Sequence, residues 1–315
     1  MSQINKKSNT IFKEFCPCCK SSNWAKIRLY SMNSYFICKK CSLNIQEIPK
    51  HFSKEDFFKI QQNHYFSDSA IFNSRLMKKV EAEENKVKLN MVNKYLTDSS
   101  KILEIGSGSG SFAKLMEDLQ FNVTIIEESL ELSKNLKRVI KGKVENKNLS
   151  EYKTDERYDA ICTFQVIEHV TDLSKHLEDI TTLLKRRGLL FLTTPNADSF
   201  QHKLPFRLSP NFDAAHLYVL SRNSIKLLLK KSGFELLEIA TPEYSANWLR
   251  VISKILRRMR GKSETETAGE YILNNSLFYQ VIFYTFKIIS IPLRFVQSTL
   301  GRGNDIFIVA RKVVQ

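Results

Sequence analysis

The sequence predicts an α/β chain: a parallel sheet with helices on both faces, a small N-terminal metal-holding cysteine ribbon, and a late helical insertion. Three observations predict it. From about residue 75 to residue 240, short apolar strands alternate with segments of helical period, as in successive βα units. A glycine-rich turn, Gly106-Ser107-Gly108-Ser109-Gly110, joins the first of those strands to the helix after it. Ahead of them, four cysteines fall into two C-x2-C pairs. A length of 315 residues suits one full α/β domain with attachments.

Composition excludes several classes. With 43% hydrophobic and 26% charged residues, and only 10 Gly and 7 Pro, the chain is neither collagenous, low-complexity nor mainly disordered. No apolar run approaches the ~18 residues of a spanning helix. The opening MSQINKKSNT lacks the apolar core of a secretory signal, so the expected location is the cytoplasm, where disulfides are rare. The net charge of +15 is unevenly placed. Residues 1–60 carry 11 Lys and Arg against 4 Asp and Glu, and residues 244–315 carry the same 11 against 4. Residues 61–243 are nearly balanced, at 26 against 25. A neutral enzyme core with basic attachments fits this better than a surface basic throughout for nucleic acid. A general lysine bias would give the same surplus without a function.

Cys16-x2-Cys19, then 18 residues, then Cys38-x2-Cys41 is the spacing that sets four thiolates around a tetrahedral zinc. Cys18 is an alternative to one member of the first pair. The apolar residues between the pairs, Trp24, Ile27, Leu29, Tyr35, Phe36 and Ile37, read as two short ribbon strands. So small a unit needs the metal for its folding energy. Cys162, in an apolar strand, reads as a buried small residue. The expected organisation is a ribbon over 1–50, a linker with lead helices over 51–100, a core over 101–243 and 301–315, and an insertion over 244–300.

Ahead of the core, residues 52–67 form a mixed linker with some helical character, and 74–96 a helix with one apolar side. Lys101–Ile105 is a buried strand, and Ser111–Leu119 the helix beyond the glycine turn. Such a turn lets backbone approach a ligand closely at a helix N-terminus. Strand Phe121–Ile126 then ends in Glu127-Glu128. An acid at the tip of the second strand stands where ribose hydroxyls are accepted in nucleoside-cofactor folds. Later strands are expected at Lys143–Asn146, Tyr158–Phe164, Gly188–Asn196, Gly233–Ile239 and Asp305–Arg311, with a helix at Ser221–Ser232.

The string LEIGSGSGSFAKL…VTIIEES, with Glu104 preceding the glycines in the strand itself, resembles the first motif and ribose acid of class I S-adenosylmethionine-dependent methyltransferases of small-molecule type. The resemblance covers about residues 75–240 and 301–313, its landmarks in order. It implies a Rossmann-like sheet of seven strands, the last antiparallel. It implies that Glu104, Gly106, Gly108 and Gly110 line the methionine and ribose side of the cofactor, that Glu127 holds the ribose hydroxyls, and that Asn148 meets the adenine amino group or serves as a plain turn residue. Phe164 and Gln165 would lie beside the transferable methyl. Glu168-His169 is similar to the pair in ubiquinone-type O-methyltransferases. There, and in terminal RNA 2′-O-methyltransferases, an acid three residues earlier helps ligate a metal. Gln165 stands in its place, so no catalytic metal is expected. His169 is then a general base or a structural loop residue. His216, after the fifth strand where substrates enter, is a second catalytic candidate or a packing residue.

In the insertion, Trp248, Ile252, Ile255, Leu256 and Met259 recur at helical spacing among Arg250, Lys254, Arg257, Arg258 and Arg260. This reads either as a basic amphipathic helix on a membrane surface or as a lid over the substrate mouth. A second stretch, Tyr271–Leu300, is rich in Phe, Ile and Tyr but broken by Lys287, Pro292 and Arg294. The leading function is a methyltransferase with S-adenosyl-L-methionine as cofactor and a structural Zn2+. Its acceptor would be a small molecule, a sugar or a lipid-linked precursor, reached in the cytoplasm or peripherally at the membrane. The alternatives are an RNA methyltransferase gripping phosphates with the basic ribbon, and a non-catalytic scaffold.

Overall fold

The computed structural model describes residues 14–27, 34–47, 75–204, 209, 211, 215–259 and 277–313. The linker expected over 52–67, and Arg260, lie outside these residues, as do the side chains of Lys254, Arg257 and Arg258.

The large sheet has seven strands: β4 (Lys101–Ile105), β5 (Asn122–Ile126), β6 (Lys143–Glu145), β7 (Tyr158–Phe164), β8 (Leu184–Pro195), β10 (Phe234–Ala240) and β11 (Asp305–Lys312). Their spatial order is β10-β11-β8-β7-β4-β5-β6. The pairings from β8 through β7, β4 and β5 to β6 are parallel, and β11 runs antiparallel between β8 and β10. This is the expected α/β sheet with its reversed seventh strand. Strand alternation sends neighbouring residues to opposite faces. Leu103, Ile161, Leu190 and Ile308 join one core, while Ile102, Ala160, Phe191 and Phe307 join the other.

Helices cover both faces. The second core takes α1 (Arg75–Asn93) through Val92, α2 (Ser111–Asp118) through Phe112 and Met116, and α3 (Leu130–Val139) through Leu136. The first core takes α4 (Leu173–Leu183) through Leu177 and Ile180. Beyond the one-turn α5 (Phe200–Lys203), α6 (Arg222–Lys231) adds Ile225, Leu228 and Leu229 to the same core. Strand β8 starts four residues before Gly188, directly at the end of α4. The insertion forms α7 (Ser245–Met259), α8 (Leu277–Ile289) and α9 (Ile291–Thr299). No helix among the described residues is long and apolar enough to cross a membrane.

The cysteine ribbon is tied to this core. Its expected strands, β1 (Trp24–Ile27) and β2 (Tyr35–Cys38), form an antiparallel pair. A third, β3 (Asn44–Gln46), pairs with β2 and with β9 (Tyr218–Val219) of the large domain. The four-stranded sheet is therefore completed by a strand more than 170 residues away in sequence. Leu43, Ile45 and the buried cysteines share one core with α4 and α6. A segment this short buries too little surface alone, and the large domain supplies the rest.

Candidate active site

The C-terminal ends of β4, β5, β6, β7 and β8 gather the chemistry at the edge where ligands bind in parallel α/β sheets, and the chain changes direction across the sheet between β4 and β7. Gly106, Gly108 and Gly110 have φ of 69°, 55° and 76°, the left-handed region that glycine enters without penalty. A Cβ on Gly106 would lie 2.7 Å from Val166 Cγ2, and one on Gly110 2.4 Å from Leu136 Cδ2. Gly108 differs: a Cβ there would meet nothing within 4 Å. The first and last glycines are required by packing, the middle one by an open space above the turn.

Glu104 precedes this turn and is only 3% exposed. Burial pushes its carboxyl up to about 7, while the Lys88 ammonium and the Ser107 hydroxyl, donating at 3.1 Å, pull the other way. Glu127, at the end of β5, accepts from the Ser129 amide at 2.9 Å. Its burial raises it above the ordinary carboxylate range, against that amide hydrogen bond. Asn146 fixes this corner by donating to the carbonyls of Glu127 and Glu128, at 2.9 and 3.0 Å. Asn148 caps a 3-10 turn, Leu149–Glu151: its Oδ1 accepts from the Glu151 amide at 3.1 Å and the Ser150 hydroxyl at 2.7 Å.

At the end of β7, Phe164 packs edge-on to Phe112, with ring centroids 5.0 Å apart, and Lys88 Nζ stands 4.9 Å from its ring centre. Gln165 follows at φ 57° and donates from Nε2 to Asp305 Oδ1 at 3.0 Å. Asn247 of α7 donates to the other Asp305 oxygen at 3.3 Å. The insertion is thus linked to the tip of β7.

His169 and His216 come together with ring centroids 5.0 Å apart. His169 Nδ1 lies 2.8 Å from the Ala215 carbonyl, and His216 Nδ1 lies 3.1 Å from the Asn211 carbonyl. A carbonyl only accepts, so each Nδ1 carries a proton. Glu168 lies beside them, fully buried, and neither carboxylate oxygen has a hydrogen-bond partner among the described residues. Burial pushes its carboxyl up to about 8. One ligand atom from each of Glu168, His169 and His216 falls within 4.8 Å of the others. Two imidazoles and a carboxyl therefore converge here even though Gln165 replaces the acid three residues before Glu168.

Cys16, Cys19, Cys38 and Cys41 form a second cluster of the same kind. Cys16 Sγ lies 3.5 Å from Cys41 Sγ, and Cys19 Sγ 3.5 Å from Cys38 Sγ. Thiolates ~2.3 Å from a tetrahedral zinc would be about 3.8 Å apart, so the set fits that ion. Cys18 is outside the foursome, and Cys162 is buried in β7.

The sequence reading missed Lys88, Asn146, Asp305 and the carboxyl of Glu168. Lys88 and Asn146 lie among many Lys and Asn and carry no local signal. Glu168 stood in plain view beside His169, but its burial without partners is visible only in three dimensions.

A Rossmann-like sheet with a glycine turn on β4, an acid ending β5 and paired histidines beyond β7 and β8 is the framework of a nucleoside-cofactor enzyme domain. Residues 77–239 match the model of a methyltransferase domain family. The chain belongs to that family, and its domain is of the class I S-adenosylmethionine-dependent type. Over 101 residues it is 31% identical to the ubiquinone biosynthesis O-methyltransferase of Pelagibacter ubique, covering 30% of this chain and 42% of that one. The chain thus spans less than half the length of that relative. Its fold resembles that of mycolic acid cyclopropane synthase complexed with S-adenosylhomocysteine, at a TM-score of 0.51 and 15% identity, over 81% of this chain and 98% of that one. It also resembles the 1,6-didemethyltoxoflavin N1-methyltransferase of Burkholderia thailandensis, at 0.50 and 11%, over 92% and 99%. At such identities these structures support the fold alone.

Proposed function

We propose that the protein transfers a methyl group from S-adenosylmethionine to a small-molecule acceptor, a sugar or lipid-linked precursor among them, which enters beside Gln165, His169 and His216. The observation that carries this is the histidine pair, each ring fixed through Nδ1 on a backbone carbonyl at the ligand-binding edge of the sheet, which supports a role for Nε2 as base. The residues present fit the cofactor. Gly108 leaves space where a side chain would intrude, Glu127 offers a carboxylate to ribose hydroxyls, and Lys88 offers a cation to the methionine carboxylate. Bound there, S-adenosylmethionine supplies a methyl already activated on a sulfonium.

The protein contributes alignment and a proton acceptor. In that transfer His169 or His216 would take the acceptor's proton at Nε2, while Gln165 and the strand ends would hold the acceptor in line with the methyl group. The four-cysteine cluster holds a structural zinc. Incubating the protein with methyl-deuterated S-adenosylmethionine and a metabolite extract should yield a deuterated product. His169→Asn with His216→Asn should lose that product while keeping cofactor affinity. A product made equally by this double variant would remove the histidines from the reaction.

The buried, unpartnered Glu168 carboxyl supports a second reading, in which Glu168, His169 and His216 hold a divalent cation that polarises the acceptor. Cobalt titration separates the two clusters, because thiolate sites give strong charge-transfer absorption and carboxylate–imidazole sites do not. A second cobalt lost in Glu168→Gln supports the cation, and a single thiolate-bound cobalt in both proteins excludes it.

A further inference from the structure

Helices α8 and α9 are arranged inside out. A surface helix of a water-soluble domain turns its apolar stripe inward and its charges outward. Here the polar side chains point in. Arg294 is only 13% exposed in its side chain; it donates to Glu83 at 3.1 Å and to the carbonyls of Glu243 and Lys287 at 3.3 and 3.0 Å. Lys287 pairs with the same Glu83 at 3.0 Å. Gln297, 3% exposed, accepts from the Trp248 indole at 2.9 Å and donates to Gln201 at 3.3 Å. Among the described side chains the outward face is mainly apolar, with Thr285 and Thr299 the exceptions: Ile289 is 71% exposed, Phe295 and Ile288 67% each, and Leu300, just past α9, 65%. Val281 and Ile291 extend the same exposed surface. Single exposed apolar residues are ordinary, but a row over two consecutive helices marks contact with an apolar phase.

We propose that this face of α8 and α9 is a membrane-surface anchor that rests on an anionic bilayer. Charge selects the bilayer over a second copy of the chain. The net charge is +15, so two like faces approaching one another would meet repulsion. Helix α7 packs against α8 and carries Ile252 and Ile255 exposed. The stretch 250–262, which begins within α7, has six Lys and Arg and no acidic residue. A strongly basic chain with an exposed apolar face matches anionic headgroups above acyl chains. With no described helix able to span, the contact is interfacial. The path from α7 through Asn247 and Asp305 to Gln165 ties the anchor to the acceptor side. An amphiphilic acceptor follows if the methyl-transfer reading holds, but the anchor itself does not depend on it.

The test is flotation of the full zinc-loaded chain with vesicles of phosphatidylglycerol and phosphatidylcholine, against phosphatidylcholine alone, at low and high salt. Ile289→Glu with Phe295→Glu changes only exposed side chains, and cofactor calorimetry reports whether the core is intact. The expected result is binding to anionic vesicles that weakens with salt and falls at least tenfold in the double variant, with cofactor affinity unchanged. No flotation of the wild-type chain, or equal flotation of the variant, overturns the anchor. Binding indifferent to anionic lipid and salt overturns the charge selection. A lipid-free dimer by light scattering that the double variant splits assigns the face to self-association instead.

Discussion

The Tyr35 hydroxyl, on the cysteine ribbon, donates a 3.2 Å hydrogen bond to the main-chain carbonyl of His216, 181 residues further along the chain. Around it, the Gln46 amide donates to the Leu217 carbonyl at 2.9 Å, and the Ser221 hydroxyl to the Cys41 carbonyl at 2.5 Å. The Tyr218 amide in turn donates to the Glu168 carbonyl at 3.0 Å. The ribbon is thus built into the wall that carries His216 and Glu168, so the state of its thiolates bears on that wall rather than on the glycine turn.

Zinc removal should therefore loosen residues 215–221 as well as the ribbon. The purified chain should hold about one thiolate-bound zinc, since four-cysteine sites of this size draw folding energy from the ion. Chelation, or Cys38→Ser, should raise amide exchange over β3 and β9 while cofactor affinity stays within about twofold. Tyr35→Phe should cost about 1 kcal/mol, the value of one neutral hydrogen bond. Unchanged exchange at β9 after metal loss would show that the ribbon docks without help from its ion.

Glu127→Ala should weaken S-adenosylmethionine binding by about 1.5–3 kcal/mol, roughly 10- to 150-fold, through loss of an ionised acceptor. The carboxylate also accepts from the Ser129 amide, so a melting curve of the cofactor-free variant must accompany the titration. Wild-type calorimetric affinity in a folded variant would end the ribose assignment.

The glycines separate packing from ligand space. Gly110→Ala forces a methyl into the fully buried Leu136 and should destabilise by about 1–3 kcal/mol. Gly108→Ala meets no atom within 4 Å and carries only the left-handed backbone penalty, about 1–2 kcal/mol. Its larger effect should fall on cofactor affinity. Thermal melts and calorimetry on the two variants check this, and equal cofactor affinity in Gly108→Ala and wild type would leave that space without its ligand.

The strands and the glycine turn were legible because strands buried on both faces read as short continuous apolar runs, and strand, turn and helix follow without interruption. The ribbon's union with the core was not, because β9 is two residues long and is a strand only beside β3. Nothing local marks His216 as a neighbour of His169; the long connection after β8 brings it there. Trp248, placed by its helical spacing on a membrane-surface helix or a lid, packs near Phe200 and donates to Gln297, partners that no local pattern marks. Lys287 and Arg294 read as breaks in an apolar stretch, yet they are its inward anchors on Glu83. In each case the partner lies far away in sequence, beyond the reach of a periodicity argument.

Glu104 gives the pH dependence. Its folded-state carboxyl, pushed to about 7 by burial, lies above the ordinary value of 4.5. Below 4.5 the group is protonated in both states and contributes nothing. Between 4.5 and 7 the unfolded chain gives up the proton and the folded chain keeps it, so stability falls as pH rises. Above 7 the full cost, about 3 kcal/mol, is present. Glu104→Gln should therefore raise the melting temperature of the cofactor-free protein at pH 8 and leave it nearly unchanged at pH 4.5. If Glu104 meets the cofactor's ammonium, as the methyltransferase resemblance implies for this strand-end acid, the carboxylate becomes the favoured form. Binding at pH 6 should then release about one proton, and affinity should fall up to tenfold per pH unit below 7. Calorimetry in two buffers of different ionisation heat reads that proton directly. No proton release at pH 6 would mean that Glu104 meets no cationic group of the cofactor, and its place in the site would pass to Glu127 alone.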